Sequence, residues 1–225
     1  MIDWKKTIQK FKGKWCVAGV DLSSVSDLTC CVYMFPYDDD REKVDILMQT
    51  FCPESRLYDR KNKYKEQYQS WEKMGYLTTT PGNAVEYDIV RKSITDNNEI
   101  CKIGLIGIDI QFQGQHFSNL LENDLGHSEK RPIVIACRNT ARAMGPICQE
   151  FERRLLKRKI NHGGNPILRF MADSVAVRVA DIDGNIKPDK DKSQGKIDGI
   201  VAMLYALDRL MRAKPPVTIK MPIGI

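Results

Sequence analysis

Hydrophobic and polar positions along this chain alternate between two periods. Short apolar runs at 15–20, 28–36 and 44–52 are rich in β-branched and aromatic residues and predict three strands. The stretches between them are brief and polar. One is small-residue rich and holds Asp21 and Asp27; the other is the charged turn Asp38-Asp39-Asp40-Arg41-Glu42. Connections this short join antiparallel neighbours, so a three-strand hairpin meander is expected. Ahead of it, Trp4, Ile8 and Phe11 fall at helical spacing among the lysines of residues 1–14, a linker or short lead-in helix. After it, Tyr64, Tyr68 and Trp71 lie on one face of a helix over 61–73. The run Leu77 to Gly82 predicts a strand end and turn, and Asn83 is expected to cap a helix over 84–95.

The second half changes rhythm. Residues 101–109 are almost wholly apolar and end in Asp109, as in a central strand buried on both faces. A helix is expected at about 115–125, a strand at 132–137 and a helix at 144–159. A turn at 162–166 follows, then a strand at 176–180, a tight turn at Asp183-Gly184-Asn185 and a brief strand at 186–188. The charged loop 189–196 leads into a last helix at 197–212, where Ile200, Val201, Leu204, Leu207 and Leu210 form an apolar stripe. A meander followed by strand–helix–strand–helix implies an α/β mixed sheet, antiparallel strands plus parallel ones, flanked by helices. One domain at 15–212 is expected, with a lead-in at 1–14 and a proline-bearing tail at 213–225.

Composition narrows the class. The 225 residues are 42% hydrophobic, enough for one domain with a sizeable core. The net charge of +6 favours a polyanionic partner. Seven cysteines, with no C-x-x-C spacing and several inside apolar runs, read as reduced core residues and not as a disulfide frame or zinc site. No signal-peptide pattern is visible, and no apolar run nears the roughly 18 residues of a membrane span. His116, His127 and His162 share no metal-like spacing.

Three aspartates stand in comparable places. Asp21 ends a first strand, Asp109 ends a buried strand and Asp198 opens the last helix. Carboxylates held by rigid strands and a helix start suit hard divalent ions, and a pair of such ions about 3.5–4 Å apart can drive phosphodiester hydrolysis. That trio around a mixed sheet is the layout of a ribonuclease H-like nuclease.

The chain resembles the C-terminal nuclease domain of tailed-phage terminase large subunits. The resemblance rests on Gly19-Val20-Asp21-Leu22-Ser23-Ser24 with Asp27-Leu28-Thr29, on Tyr68 to Trp71 with Gly75, and on Leu77-Thr78-Thr79-Thr80-Pro81-Gly82-Asn83-Ala84-Val85. It continues through Ile106-Gly107-Ile108-Asp109, His162-Gly163-Gly164-Asn165-Pro166, Gly184-Asn185-Ile186-Lys187-Pro188 and Lys196-Ile197-Asp198-Gly199 with Ala202. The resemblance implies a ribonuclease H-like fold and a metal-dependent DNA endonuclease that cuts concatemeric phage DNA during packaging. It implies Asp21, Asp109 and Asp198 as ligands of two Mg²⁺ or Mn²⁺ ions, with Asp27 a lesser candidate. The implied partners are double-stranded DNA, a terminase ATPase domain, the small terminase subunit and the portal, in the host cytoplasm and without a membrane. Ile197 stands where some relatives pair a second acid with Asp198. No G-x-x-x-x-G-K-[ST] loop occurs, so the chain is expected to be the nuclease domain alone, without ATP hydrolysis.

Lys187, Lys190, Lys192 and Lys196 lie in or beside the loop before Asp198 and are the candidate phosphate contacts, Lys196 foremost because it is nearest in sequence. A second basic group, Arg138, Arg142, Arg153, Arg154, Lys157, Arg158 and Lys159, surrounds or rides the helix near 144–159 and is expected to be a solvated face. Two alternatives remain open: a junction resolvase or transposase-like nuclease on the same fold, and a DNA-gripping or docking module of a packaging motor with latent nuclease activity.

Overall fold

The meander forms as the apolar runs predict. In the computed structural model, which describes residues 2–23, 28–111, 114–126, 132–179 and 181–213, strand β1 (Trp15–Asp21) pairs antiparallel with β2 (Thr29–Pro36). β2 in turn pairs antiparallel with β3 (Val44–Pro53). β4 (Leu77–Thr80) lies parallel on the outer side of β3. β5 (Lys102–Asp109) lies parallel to β1 on its other side, and β6 (Val134–Cys137) lies parallel to β5. The sheet order is β4-β3-β2-β1-β5-β6, with the two-residue β7 (Ile160–Asn161) pairing with the start of β3. A separate antiparallel hairpin joins β8 (Val177–Val179) to β9 (Ile186–Pro188).

Strand alternation sorts side chains onto two faces. Cys16, Ala18 and Val20 of β1, with Ile106 and Ile108 of β5, pack into one core beneath α3 (Tyr87–Ile100) and α4 (Gly114–Asp124). The lead-in forms α1 (Trp4–Gln9), whose Ile8 is fully buried in this core. Trp4 donates from Nε1 to Asn97 Oδ1 at 3.0 Å, and Asn97 donates onward to Tyr33 and Gln49, so the buried amide is satisfied. The other face, which includes Val17, Val32 and Met34, is covered by α2 (Lys65–Met74), α5 (Ala141–Leu156), α6 (Pro166–Ser174) and α7 (Asp198–Arg212).

Two expectations are corrected. Asn83 caps nothing: α3 begins at Tyr87, after Glu86, which makes no side-chain cap. The Thr80 hydroxyl instead ties the turn, donating to Ala84 O at 3.3 Å and accepting from Glu86 N at 3.2 Å. A local hydroxyl–backbone closure competes with helix initiation and delays it. The stripe on α7 is also too narrow. Every residue from Asp198 to Arg209 is buried, because α5 and α6 cover the side turned away from the sheet. Asp27, His127, Ala180 and residues 214–225 lie outside the described residues.

All seven cysteines are free and buried, as read from their apolar settings. Among the described residues no helix is long and apolar enough to cross a membrane.

Candidate metal centre

Register brings the first two acids side by side. In the parallel β1–β5 pair Val20 lies opposite Ile108, so Asp21 and Asp109 follow at the same level on neighbouring strand ends. Both share strand parity with Gly19 and Gly107, on the face that carries α7. The crevice beyond the carboxyl ends of parallel strands is where α/β sheets bind ligands.

Glycine lets the third acid approach. A Cβ at Gly19 would fall inside the backbone of Ala202 and Ala206 on α7. A Cβ at Gly107 would lie 2.8 Å from Tyr205 O and 2.8 Å from Cys137 Sγ. The helix therefore lies directly on the bare backbone of β1 and β5, and its first residue, Asp198, comes to the site at 2% exposure. The helix N-terminus favours this carboxylate, and Leu28 N donates to its Oδ2 at 3.4 Å.

One ammonium joins two of the acids. Lys190 Nζ stands 2.9 Å from Asp198 Oδ1 and 3.7 Å from Asp21 Oδ2. The chain leaving Asp21 is pinned by Thr29, whose hydroxyl accepts from Ser23 N and donates to Ser23 O, both at 2.9 Å. Asp109 is partly exposed, and its Oδ1 accepts from Gln111 N at 3.0 Å, which fixes the turn behind it.

Neighbouring groups register this concentration of charge. Burial, then the charges of Asp198 and Asp21, push the Cys30 thiol far above its ordinary value. Burial, then Asp198, does the same to the Tyr68 phenol. Tyr205 on α7 is 1% exposed; burial raises its phenol most, followed by Asp21 and Asp109. Tyr205 thus links the two strand-end acids to the helix that delivers the third.

The donor chemistry fits a hard divalent ion: three carboxylates, two of them buried and already sharing one positive charge. Asp21, Asp109 and Asp198 are the residues that would hold it. Among the described residues no three His, Cys, Asp or Glu side chains close into a ready-made cage.

The expected phosphate contacts separate. Lys190 enters the acid cluster. Lys187 donates to Asn139 O at 3.0 Å, beside the start of α5. Lys192 is exposed and Lys196 half-buried. Sequence proximity to Asp198 favoured Lys196; the turn after β9 brings Lys190 to Asp198 and Asp21. On α5, Arg153 reaches Glu42 and Glu150 at 2.7–3.0 Å and the buried Arg154 reaches Glu150 at 2.6 Å; just beyond the helix, Lys159 pairs with Asp40. These cations clamp the β2–β3 turn and are not a solvated face. Tyr205 and the paired glycines are the site residues that the sequence reading passed over. Their signal was present in Gly19 and Gly107, each two residues before its aspartate.

Comparison with known proteins agrees with this architecture. Residues 3–214 match the family model "Terminase large subunit, endonuclease domain". The chain is 33% identical over 195 residues to the terminase large subunit of Enterobacteria phage HK97, which covers 86% of this chain and 37% of that protein. It is 27% identical over 218 residues to protein YmfN of Escherichia coli K12, covering 93% of this chain and 46% of that one. The chain therefore spans less than half the length of these relatives. The crystal structure of the HK97 large terminase superposes with a TM-score of 0.75 at 27% identity, over 90% of this chain and 42% of that one. The large terminase nuclease of thermophilic phage G20c with bound magnesium shares the fold, with a TM-score of 0.52 at 9% identity, over 88% of this chain and 84% of that one. The mixed sheet of antiparallel and parallel strands flanked by helices, expected from the sequence, is thus the fold observed, and the chain belongs to the terminase large subunit endonuclease domain family.

Proposed function

We propose that this chain is the metal-dependent endonuclease of a phage DNA-packaging machine, cutting concatemeric viral DNA by two-metal phosphodiester hydrolysis. The observation that carries the reading is the convergence of Asp21 and Asp109, on adjacent parallel strand ends, with Asp198 at the buried start of α7. Family membership supplies the substrate class, and the magnesium in the G20c nuclease supports Mg²⁺ or Mn²⁺ as the ions.

Bound divalent ions would supply an activated water and neutralise charge at the scissile phosphate. The protein's part is to hold the carboxylates rigidly. Asp21 is fixed by its strand and by the Ser23–Thr29 hydrogen bonds, Asp109 by its turn, and Asp198 by its helix. Lys187, Lys192 and Lys196 would engage backbone phosphates without reading bases. The cut leaves a 3′ hydroxyl and a 5′ phosphate. Target choice falls to an ATPase domain, a small terminase subunit and the portal, in the host cytoplasm.

Asp198→Asn keeps the shape of the side chain and removes its charge. It is expected to reduce Mn²⁺-dependent plasmid cleavage to about one hundredth of wild type or less, the scale of losing one electrostatic stabiliser of a transition state. The circular dichroism spectrum should be unchanged. Undiminished cleavage by this variant would refute the assignment.

A further inference from the structure

Two buried carboxylates close to one cation pose an electrostatic problem whether or not a metal is bound. The side chains of Asp21 and Asp198 are 12% and 2% exposed. Ionised acids at such burial need a nearby positive charge. Lys190 supplies one, with its Nζ 2.9 Å from Asp198 Oδ1 and 3.7 Å from Asp21 Oδ2.

This lysine grows from a built turn. Asp189, immediately before it, is buried and donates from its backbone N to Ala176 O at 2.9 Å. Its Oδ1 accepts from Asp191 N at 3.1 Å, and its Oδ2 pairs with Arg178 Nε at 3.6 Å. Its carbonyl accepts from Ser193 Oγ at 2.6 Å and from Ser193 N at 3.0 Å. Backbone on both sides of Lys190 is thereby fixed, and its stem reaches from that base to the acids. The side chain is nonetheless 51% exposed, which leaves the ammonium an open route away from them.

We propose that Lys190 is the resident counter-cation of the metal centre: in the metal-free protein its ammonium bridges Asp21 and Asp198, and a divalent ion must displace it to load. The proposal rests on the metal-centre reading above. It makes Lys190 a positioning residue that holds the two acids in place before metal arrives and competes with the ion for them. A single ammonium exchanged for a doubly charged ion costs apparent metal affinity in proportion to the population of the bridged state. The displaced ammonium remains tethered beside the crevice, where a substrate phosphate is a charge-matched acceptor. DNA that captures the ammonium therefore favours metal loading, and by reciprocity metal favours DNA.

The test compares wild type with Lys190→Met and Lys190→Arg after removal of metal with a chelator. Melting temperature is followed as Mn²⁺ alone is added. Lys190→Met is expected to melt below wild type without metal, since two buried acids lose a nearby positive charge. Its half-maximal Mn²⁺ concentration should fall about tenfold, within the usual range of coupling between competing ligands. Lys190→Arg should track wild type. Should Lys190→Met fail to fold, Lys190→Gln, neutral but able to donate to Asp198, is expected to show the same rise in affinity. If wild type responds to Mn²⁺ and the neutral variants bind it equally or more weakly, the counter-cation role is wrong and the metal centre stands. If wild type itself shows no Mn²⁺ response, the metal-centre reading fails and this proposal falls with it.

Discussion

Tyr205 carries a hydroxyl that is buried without a hydrogen bond of ordinary geometry, facing the charges of Asp21 and Asp109. A buried donor without a partner costs free energy. Tyr205→Phe keeps the ring and removes that cost. In metal-free protein it is expected to raise stability by about 1 kcal/mol, seen as a melting temperature about 2–4 °C higher. A lower melting temperature would show that the hydroxyl contributes a real bond at the acids. At this scale Asp21, Asp109 and Asp198 were legible because each sits where an apolar run stops or a helix starts, a position read directly from the order of residues. Lys190 was legible only as one of four loop lysines. The placement of Lys190 depends on the turn around Asp189, whose partners are Arg178 of β8 and Ala176 just before that strand.

The element that organises the site is α7, and its seat on the sheet depends on missing side chains. Gly19→Ala would push a methyl group into the α7 backbone at Ala202 and Ala206, and backbone cannot rotate away as a side chain can. The expected cost is about 3 kcal/mol or more, read as an earlier urea midpoint, with Mn²⁺ binding weakened as Asp198 moves with its helix. Stability and metal binding both equal to wild type would contradict the close seating of α7 on β1. Periodicity revealed the strands well: β1, β2, β3 and β5 match their apolar runs within a residue or two. It was less informative for α3, where the Thr80 hydroxyl holds a turn that residue preference assigns to helix. It also understated α7, because a stripe reports one packed face and cannot report that α5 and α6 cover the other.

For the whole molecule, the mixed sheet followed from connection lengths alone: short turns for the meander, then helix-bearing crossovers for the parallel strands. That topology brings β1 and β5 together as parallel neighbours, so Asp21 and Asp109, 88 positions apart in sequence, end adjacent strands. The net charge of +6 says nothing of the placement of the cations. Much of the basic run along α5 and just after it is taken up in ion pairs with Glu42, Glu150 and Asp40. The positive segment beside the acids is instead the one between β9 and α7. Pairing across elements is invisible to composition, so only the structure separates the two groups.

The central claim is that Asp21, Asp109 and Asp198 together hold divalent metal. Anomalous diffraction from crystals soaked in Mn²⁺ tests it most directly. Manganese in contact with all three carboxylates, with Asp21 shared between two ions, is the predicted result. Manganese bound elsewhere, or none between these acids at saturating concentration, would contradict it.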